Sequence, residues 1–150
     1  MPTFEAIDTR IDSSRLQAIT HLFMTELYTE QPWFNYYEHG ICAHNAYCLF
    51  ADDGSLLGAI SGDHNEGNGI TKVIDLAINP GERGVGYGKL CMKFFAEQAQ
   101  LHGDAKVVLY PTVEASGFYK SLGFTAFADD EGYVVAGVDR LVSSPISKVL

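Results

Sequence analysis

The chain has 150 residues, with 10 Lys and Arg against 19 Asp and Glu, which gives a formal net charge of −9. Hydrophobic residues make up 47% of it, enough for the core of one domain and too many for a disordered chain. The acidic balance argues against non-specific nucleic-acid binding, which depends on clustered Lys and Arg. Because the chain has neither an apolar run of about 18 residues nor a secretory signal at its N-terminus, we expect a cytoplasmic protein with no membrane or nucleic-acid partner.

Cysteine and histidine spacing favours neither a disulfide framework nor a metal centre. Cys42, Cys48 and Cys91 include no CxxC pair and are expected to be reduced thiols. The 5 His residues show neither HxxxH nor HExxH spacing, so no metal is predicted.

The N-terminal part predicts a strand and two helices. Thr3–Ile7 is a candidate strand, and Ser14 with Gln17 forms a capping-box pair at the start of a helix. The apolar residues on one face of this helix are Leu16, Ile19, Leu22, Phe23 and Leu27. A second, short helix begins at Pro32, which is tolerated in a first turn, and carries Trp33, Phe34, Tyr36 and Tyr37.

A hairpin and a buried strand follow. Ala46–Ala51 and Ser55–Ser61 flank Asp53-Gly54, a dipeptide suited to hairpin turns. The polar, glycine-rich segment Gly62–Gly69 predicts a loop. Val73–Asn79 is a nearly continuous apolar strand, typical of one covered on both faces.

The second half of the chain alternates helices with strands. A helix over Gly86–His102 ends at Gly103, and its apolar stripe consists of Leu90, Cys91, Phe94, Phe95 and Leu101. Ala105–Tyr110 is a second apolar strand. Thr112 is the candidate N-cap of a short helix over about Val113–Leu122, which Gly123 ends.

Two short strands, Phe124–Ala128 and Tyr133–Val138, complete the predicted order. The tail Leu141–Leu150 is apolar at intervals and carries Pro145, so it packs either on the domain or on a second subunit, and the sequence leaves a homodimer open. The order of elements predicts a single α/β domain with a mixed sheet over residues 1–150.

The turn between the strand Val73–Asn79 and the next helix has the composition of an anion site. Gly84, Gly86 and Gly88 alternate there, and glycine lets the backbone approach a ligand without a Cβ. The N–H groups of a helix N-terminus favour an anion such as a pyrophosphate. The spacing matches neither the dinucleotide fingerprint GxGxxG nor the P-loop GxxxxGK[ST]. A glycine-rich connector without a ligand is the alternative.

Two motifs in this order resemble those of the GNAT superfamily of N-acetyltransferases. Arg83-x-x-Gly86-x-Gly88 is similar to motif A, and Ala115–Phe124 (ASGFYKSLGF) is similar to motif B, A-x-x-F-Y-x-x-x-G-F. The resemblance implies an α/β (α+β) fold with a mixed, mostly antiparallel sheet splayed between its fourth and fifth strands and helices on both faces. It also implies that residues 1–45 form the acceptor side and residues 73–124 the acetyl-CoA-binding core.

The same resemblance implies acetyl-CoA as co-substrate. Its pyrophosphate would lie on the backbone amides of Arg83, Gly84, Val85, Gly86, Tyr87, Gly88 and Lys89. Its pantetheine arm would pair with the backbone of Leu76, Ala77 and Ile78, with Thr112 and Phe118 as further contacts. Thr112 stands where many family members have Asn, so that a hydroxyl would replace an amide.

Tyr119 is the candidate general acid, because the motif B tyrosine of the family points at the coenzyme sulfur. A phenol with a reference pKa of about 10 stays protonated at neutral pH and can donate to a departing thiolate. The alternative is that Phe118 and Tyr119 only pack the helix on the sheet.

Asp75 is the candidate general base, as the acidic residue of an otherwise apolar strand. An acceptor ammonium with a pKa of about 10.4 must lose a proton before it attacks, and burial would raise the pKa of an unpaired carboxyl. The alternative is a carboxylate satisfied by structural hydrogen bonds. Asn79, His64 and Glu66 are weaker candidates near the same strand.

These features together predict an acetyl-CoA-dependent N-acetyltransferase that uses direct transfer to a primary amine of a small molecule or peptide in a ternary complex. Trp33, Phe34 and Tyr37 would line the acceptor pocket, although ordinary packing of a short helix explains them equally well. The alternative function is a non-catalytic acyl-CoA-binding or sensing module of the same fold.

Overall fold

A computed structural model describes residues 2–7, 13–27, 45–64, 68–127 and 132–144. The strands are β1 Thr3–Ile7, β2 Asn45–Phe50, β3 Leu56–Asp63, β4 Ile70–Ile78, β5 Lys106–Leu109, β6 Thr125–Ala126 and β7 Val134–Gly137. The helices are α1 Ser13–Glu26, α2 Tyr87–Leu101, α3 Ser116–Ser121 and α4 Val138–Val142, with a 3₁₀ turn at Pro80–Glu82. Among the described helices, none combines the length and the hydropathy that crossing a membrane would require.

The strands form one sheet in the order β1-β2-β3-β4-β5-β7-β6, antiparallel throughout except for the pair β4–β5. This parallel pair joins only Ile70 to Lys106, Thr71 to Val107 and Lys72 to Val108. Beyond these positions β4 continues to Ile78 with no described strand paired on that side. The predicted mixed, mostly antiparallel sheet with a splay between its fourth and fifth strands is therefore confirmed.

Helices cover both faces of the sheet. Successive residues of a strand point to opposite faces, and in β2 Tyr47 and Leu49 belong to one apolar cluster while Ala46 and Cys48 belong to another. The first cluster takes its helical side chains from α2, α3 and α4, and Phe95 of α2 lies at 0% exposure within it. The second cluster packs α1 on the opposite face, through Ile19, Leu22 and Phe23.

A bulge in β4 changes which face its side chains meet. Ser61 of β3 pairs with Asp75, and Gly62 pairs with Val73, so Ile74 is an extra residue between the two pairs. Val73 consequently packs in the cluster with α2, whereas Ala77 packs in the cluster with α1. Asp75 and Ala77 share a face, so the carboxylate side chain lies on the α1 side of the sheet.

Several predicted boundaries were wrong in instructive ways. Leu101 is 80% exposed because it ends α2 beyond the buried stripe, and Leu27 is 38% exposed because α1 ends at Glu26. Gly62 and Asp63 extend β3 instead of forming a loop, and Val138 begins α4 instead of ending a strand. The helix predicted from Pro32 and the tail beyond Ser144 lie outside the described residues.

Helix α4 is the element that the sequence did not indicate. It is short, but Val138 and Leu141 are each 1% exposed, and both belong to the cluster that contains α2. Two buried residues in five are too few to show a helical period. Packing against α2 therefore stabilises a helix that its own sequence does not predict.

His64, at the end of β3, is held as a neutral ring by two side-chain hydrogen bonds. The Thr71 hydroxyl donates to the Asp63 carbonyl (3.1 Å), so it must accept from the His64 Nδ1–H, 2.8 Å away. Nε2 then accepts from the Tyr47 hydroxyl at 2.8 Å. Thr71 lies at the start of β4, about 20 Å along the strand from Ile78, and at that separation His64 cannot be a base near the predicted site.

Burial, followed by the charge of the stacked His102 ring (centroids 4.8 Å apart), lowers the pKa of His64 to about 4, against a smaller opposing effect of Asp104 and Asp63. The unfolded chain, with an ordinary histidine pKa near 6.5, binds more protons than the folded protein between these two values. The free energy of unfolding should therefore fall as the pH falls from 7 to 5, by about 1 kcal/mol after allowance for solvent screening.

Urea unfolding of the wild type and of His64→Gln at pH 7 and pH 5 measures this contribution. The difference between the two pH values should be smaller in His64→Gln, whatever the absolute stability of the variant. His21→Gln, which changes an exposed histidine of α1, serves as the control and should keep the wild-type pH dependence. An equal pH dependence in all three proteins would contradict the assignment.

Candidate active site

The segment between β4 and α2 forms a tight turn anchored by Asn79. The Asn79 side chain accepts a hydrogen bond from the Gly81 N–H (3.4 Å) and donates to the Leu56 carbonyl of β3 (3.3 Å). Its backbone carbonyl also accepts from the Glu82 N–H at 2.8 Å. Asn79, a weaker candidate base in the sequence, therefore shapes the turn through both its amide and its backbone.

Two glycines in the turn adopt backbone conformations that other residues rarely adopt. Gly84 and Gly86 have φ angles of 86° and 93°, in the left-handed region that disfavours residues with a Cβ. Gly88 has a different role, because a Cβ there would lie 3.3 Å from Cζ of Phe118 and 3.9 Å from Cγ1 of Ile78. The first turn of α2 thus packs closely on α3 and on the end of β4, and Phe118 forms part of this contact.

The N-terminus of α2 carries the features of an anion site. The first backbone hydrogen bond of the helix runs from the Leu90 N–H to the Gly86 carbonyl, at 3.0 Å. The N–H groups of Tyr87, Gly88 and Lys89 come before it and have no carbonyl of the same helix to bond. The helix dipole adds partial positive charge at this end. The neighbouring Val85 is 50% exposed, so the turn is open to solvent.

The backbone of β4 presents alternate residues to the gap left by β5. Asn79 donates its N–H to the Leu57 carbonyl of β3 (2.8 Å), and Ile78 stands opposite Gly58. Since hydrogen-bonded and non-hydrogen-bonded pairs alternate along an antiparallel ladder, the backbone groups of Ala77 point to β3 and those of Leu76 and Ile78 point to the gap. Of the three backbone positions predicted to bind the pantetheine arm, Leu76 and Ile78 therefore face the gap, whereas Ala77 faces β3.

Tyr119 lies on α3 in the cluster that contains α2, with 8% of its surface exposed. Its ring contacts the rings of Phe118 and Phe124 edge-on, with centroids 5.0 and 5.5 Å away. Burial, and to a lesser degree the negative charge of Asp75, raises the pKa of Tyr119 to about 12. The phenol is therefore a proton donor over the whole physiological range.

Asp75 is buried, at 4% exposure, in the part of β4 that β5 does not cover. After burial, its negative charge is the second cause of the raised pKa of Tyr119, which lies on a different element. The two side chains belong to different faces of the sheet, Asp75 to the α1 side and Tyr119 to the cluster that contains α2.

Thr112 does not cap a helix that begins at Val113. Its hydroxyl accepts from the Ala115 N–H (3.2 Å) and so closes a turn, after which α3 begins at Ser116. The N-cap of α3 is Ala115, which has no side-chain acceptor. Thr112 remains exposed near the end of β5, and its hydroxyl, which accepts from the Ala115 N–H, still has its own O–H to donate.

The described residues do not include four other residues predicted as acceptor contacts or as a base, namely Trp33, Phe34, Tyr37 and Glu66. Among the residues that the structure does describe, no group of three or more His, Cys, Asp or Glu side chains is arranged to hold a metal ion.

The sequence did not indicate a pocket of about 370 Å³ beside Tyr119. The lining residues are Pro111, Ser116, Tyr119, Lys120, Phe124, Thr125, Ala126 and Val134. They come from α3, β6, β7 and the end of β5, so no single stretch of sequence could have shown them. The sequence also did not indicate the ion pair between Glu26 in α1 and Arg83 in the turn.

The sequence profile described as the acetyltransferase (GNAT) family matches residues 14–124, which include the turn, β4 and α3. The chain belongs to this family, and it is therefore classed with the acyltransferases. No curated protein matches it significantly in sequence.

Solved structures share the fold at low sequence identity. Tetrahymena GCN5 is 18% identical, with a TM-score of 0.74 over 91% of this chain and 96% of that one. The Escherichia coli GNAT family N-acetyltransferase YhbS, in complex with CoA, is 16% identical, with a TM-score of 0.64 over 95% and 85%. N-acetylglutamate synthase from Neisseria gonorrhoeae, complexed with coenzyme A and N-acetyl-glutamate, is 16% identical, with a TM-score of 0.66 over 91% of this chain and 35% of that one.

The left-handed conformation of Gly84 predicts that an alanine at this position lowers the free energy of unfolding. A Cβ at Gly84 would meet no atom within 4 Å, so Gly84→Ala costs only the backbone conformation, about 1 kcal/mol of unfolding free energy. Gly81→Ala is the matched control, because it too meets nothing within 4 Å and its φ is not in that region. Urea unfolding should show a loss for Gly84→Ala alone, and equal effects of the two changes would contradict this account.

Proposed function

We propose that the protein is an acetyl-CoA-dependent N-acetyltransferase that transfers the acetyl group directly to a primary amine of a small molecule or peptide in a ternary complex. The observation that carries the proposal is that the anion turn (residues 83–89) directly follows the open backbone edge of β4. Helix α3, which carries the buried phenol of Tyr119, packs through Phe118 against Gly88 of α2, which also lies near Ile78 at the end of β4. A long ligand with an anionic part, an amide-containing arm and a reactive thioester fits this order of features.

The coenzyme would follow the geometry from the turn to the gap. Its pyrophosphate would lie on the amides from Arg83 to Lys89, where the helix N-terminus favours an anion. Its arm would add a short ladder to the edge of β4, through Leu76 and the N–H of Ile78 and not through Ala77, because the Ile78 carbonyl accepts from Arg83. In this proposal residues 73–124 remain the acetyl-CoA-binding core of one domain, and residues 1–45 the acceptor side.

The chemistry assigned to this chain consists of three proton transfers and one oriented attack. The acceptor ammonium loses a proton, and the neutral nitrogen attacks the thioester carbonyl carbon as a C–N bond forms. The C–S bond then breaks, and the thiolate takes a proton from the Tyr119 hydroxyl. The second proton of the nitrogen passes through water to the resulting Tyr119 phenolate, which restores the acid. A backbone N–H at the free edge of β4, such as that of Ile78, would stabilise the negative charge on the carbonyl oxygen.

Asp75 is the group we assign to accept the proton of the acceptor, directly or through water. Its burial in the part of β4 that β5 does not cover supports this assignment, and the amine would approach it from the α1 side. Its charge also raises the pKa of Tyr119, which keeps the acid protonated until a thiolate is present. A negative charge at this position would further attract a cationic acceptor.

Isothermal titration with acetyl-CoA, followed by CoA, tests the binding part of the proposal. We expect Kd values on the order of 10 µM for both ligands. NAD is the control ligand, because it has an adenosine pyrophosphate but lacks the pantetheine arm that β4 would bind, and it should bind at least tenfold more weakly. Equal affinity for NAD and CoA would argue against the role of the β4 edge, and no binding of CoA would overturn the proposal.

Replacing Tyr119 by Phe tests the acid. Turnover, followed as thiol release over a panel of amines, should fall about 100-fold because the thiolate loses its proton donor. The affinity for acetyl-CoA should stay within about twofold, since the ring and its packing are retained. Tyr110→Phe, at a tyrosine that is 64% exposed, is the matched control and should keep full turnover.

An unchanged rate in Tyr119→Phe would remove Tyr119 from the mechanism. Tight binding of acetyl-CoA by the wild type, with no turnover over the panel, would favour a non-catalytic acyl-CoA-binding module.

A further inference from the structure

The side chain of Arg83 connects three elements around the anion turn. Its Nη2 forms an ion pair with Oε1 of Glu26 in the last turn of α1. Its Nε donates a hydrogen bond to the Ile78 carbonyl, at 3.3 Å. The first residue of the anion turn is thereby tied both to the end of β4 and to a helix on the acceptor side of the fold.

The two partners of the ion pair differ in exposure. The Glu26 side chain is 17% exposed, whereas that of Arg83 is 56% exposed. A largely buried carboxylate requires a partner, and the guanidinium supplies one. A guanidinium carries five N–H donors in a fixed plane, so that these two contacts leave further N–H groups accessible beside the turn.

We propose that Glu26 is a positioning residue for the cofactor site, which acts through Arg83 and couples α1 to acetyl-CoA binding. Glu26 orients the guanidinium, and the guanidinium sets the position of the turn relative to the Ile78 carbonyl. The turn and the β4 edge are the two places where the coenzyme would bind, so their relative position determines whether one ligand can reach both. This inference rests on the proposed function.

The direction in which the Kd for acetyl-CoA changes distinguishes a positioning role of Glu26 from a general effect of its negative charge. The chain has a net charge of −9, so the removal of any acidic residue should slightly favour a polyanionic ligand. A positioning residue has the opposite effect, because its loss leaves the binding groups less well placed. Because Arg83 is 56% exposed, water screens the pair, and Glu26→Ala removes the buried charge itself. The loss of binding free energy in Glu26→Ala should therefore exceed the loss of unfolding free energy.

The test is a double-mutant cycle on acetyl-CoA affinity, measured by isothermal titration of the full chain. Glu26→Ala should raise the Kd about fivefold to tenfold, and Arg83→Ala at least as much. The double variant should bind no more weakly than Arg83→Ala, because Glu26 has no effect without the guanidinium. Glu97→Ala, which removes the same charge from an exposed position of α2, should bind as well as the wild type or slightly better.

Glu26→Gln provides a second variant of nearly the same shape. It keeps a hydrogen-bond acceptor but loses the charge, so its Kd should lie between those of the wild type and Glu26→Ala. A urea unfolding midpoint for each variant shows whether it is folded. If Glu26→Ala does not fold, the cycle is carried out with Glu26→Gln.

Two results would overturn the positioning role while the proposed function stands. One is that the effects of Glu26→Ala and Arg83→Ala add in the double variant, and the other is that Glu26→Ala binds as tightly as Glu97→Ala. If the wild type itself does not bind acetyl-CoA, the proposed function fails and the inference fails with it.

Discussion

The early separation of β4 from β5 is the constraint on which the rest of the site depends. The two strands pair over only three positions, and the following part of β4 has no described strand on that side. Backbone N–H and C=O groups need hydrogen-bond partners. The Ile78 carbonyl accepts from Nε of Arg83, so at the free edge the backbone groups of Leu76 and the N–H of Ile78 are those suited to water or to a ligand with amide groups. The turn that follows β4 places the N-terminus of α2 at the end of this edge. A gap and an anion site are therefore consecutive along the chain.

Because of the bulge at Ile74, the side chain of Asp75 lies on the α1 side of the sheet. One extra residue reverses the facing of the side chains on its two sides, so Val73 joins the core with α2 and Asp75 points to the opposite face. Tyr119 lies on α3 in the cluster that contains α2, and burial, followed by the charge of Asp75, raises its pKa. The carboxylate of Asp75 thus comes from the sheet, and the phenol of Tyr119 comes from a helix packed on it.

Features carried by short stretches of sequence could be predicted. The glycine turn, the strand before it and the helix after it were recognised because glycine spacing and helical periodicity are local signals. The same reasoning failed where tertiary packing decides. Leu101 fits the apolar stripe of α2 but is exposed, α4 is helical because it packs on α2, and Thr112 closes a turn before α3 begins. The Glu26–Arg83 pair joins residues far apart in sequence, and no local pattern reports it.

The sequence by itself determined the family motifs, the order of most elements and the types of residue available for an acyl transfer. It did so because the conformational needs of a glycine turn and of an amphipathic helix are met by neighbouring residues. Only the tertiary structure decided which backbone groups of β4 face the gap, on which side Asp75 lies, and what holds Arg83. Those properties depend on strand register, on one bulge and on a contact between α1 and the turn, and each of them arises only when segments distant in the chain come together.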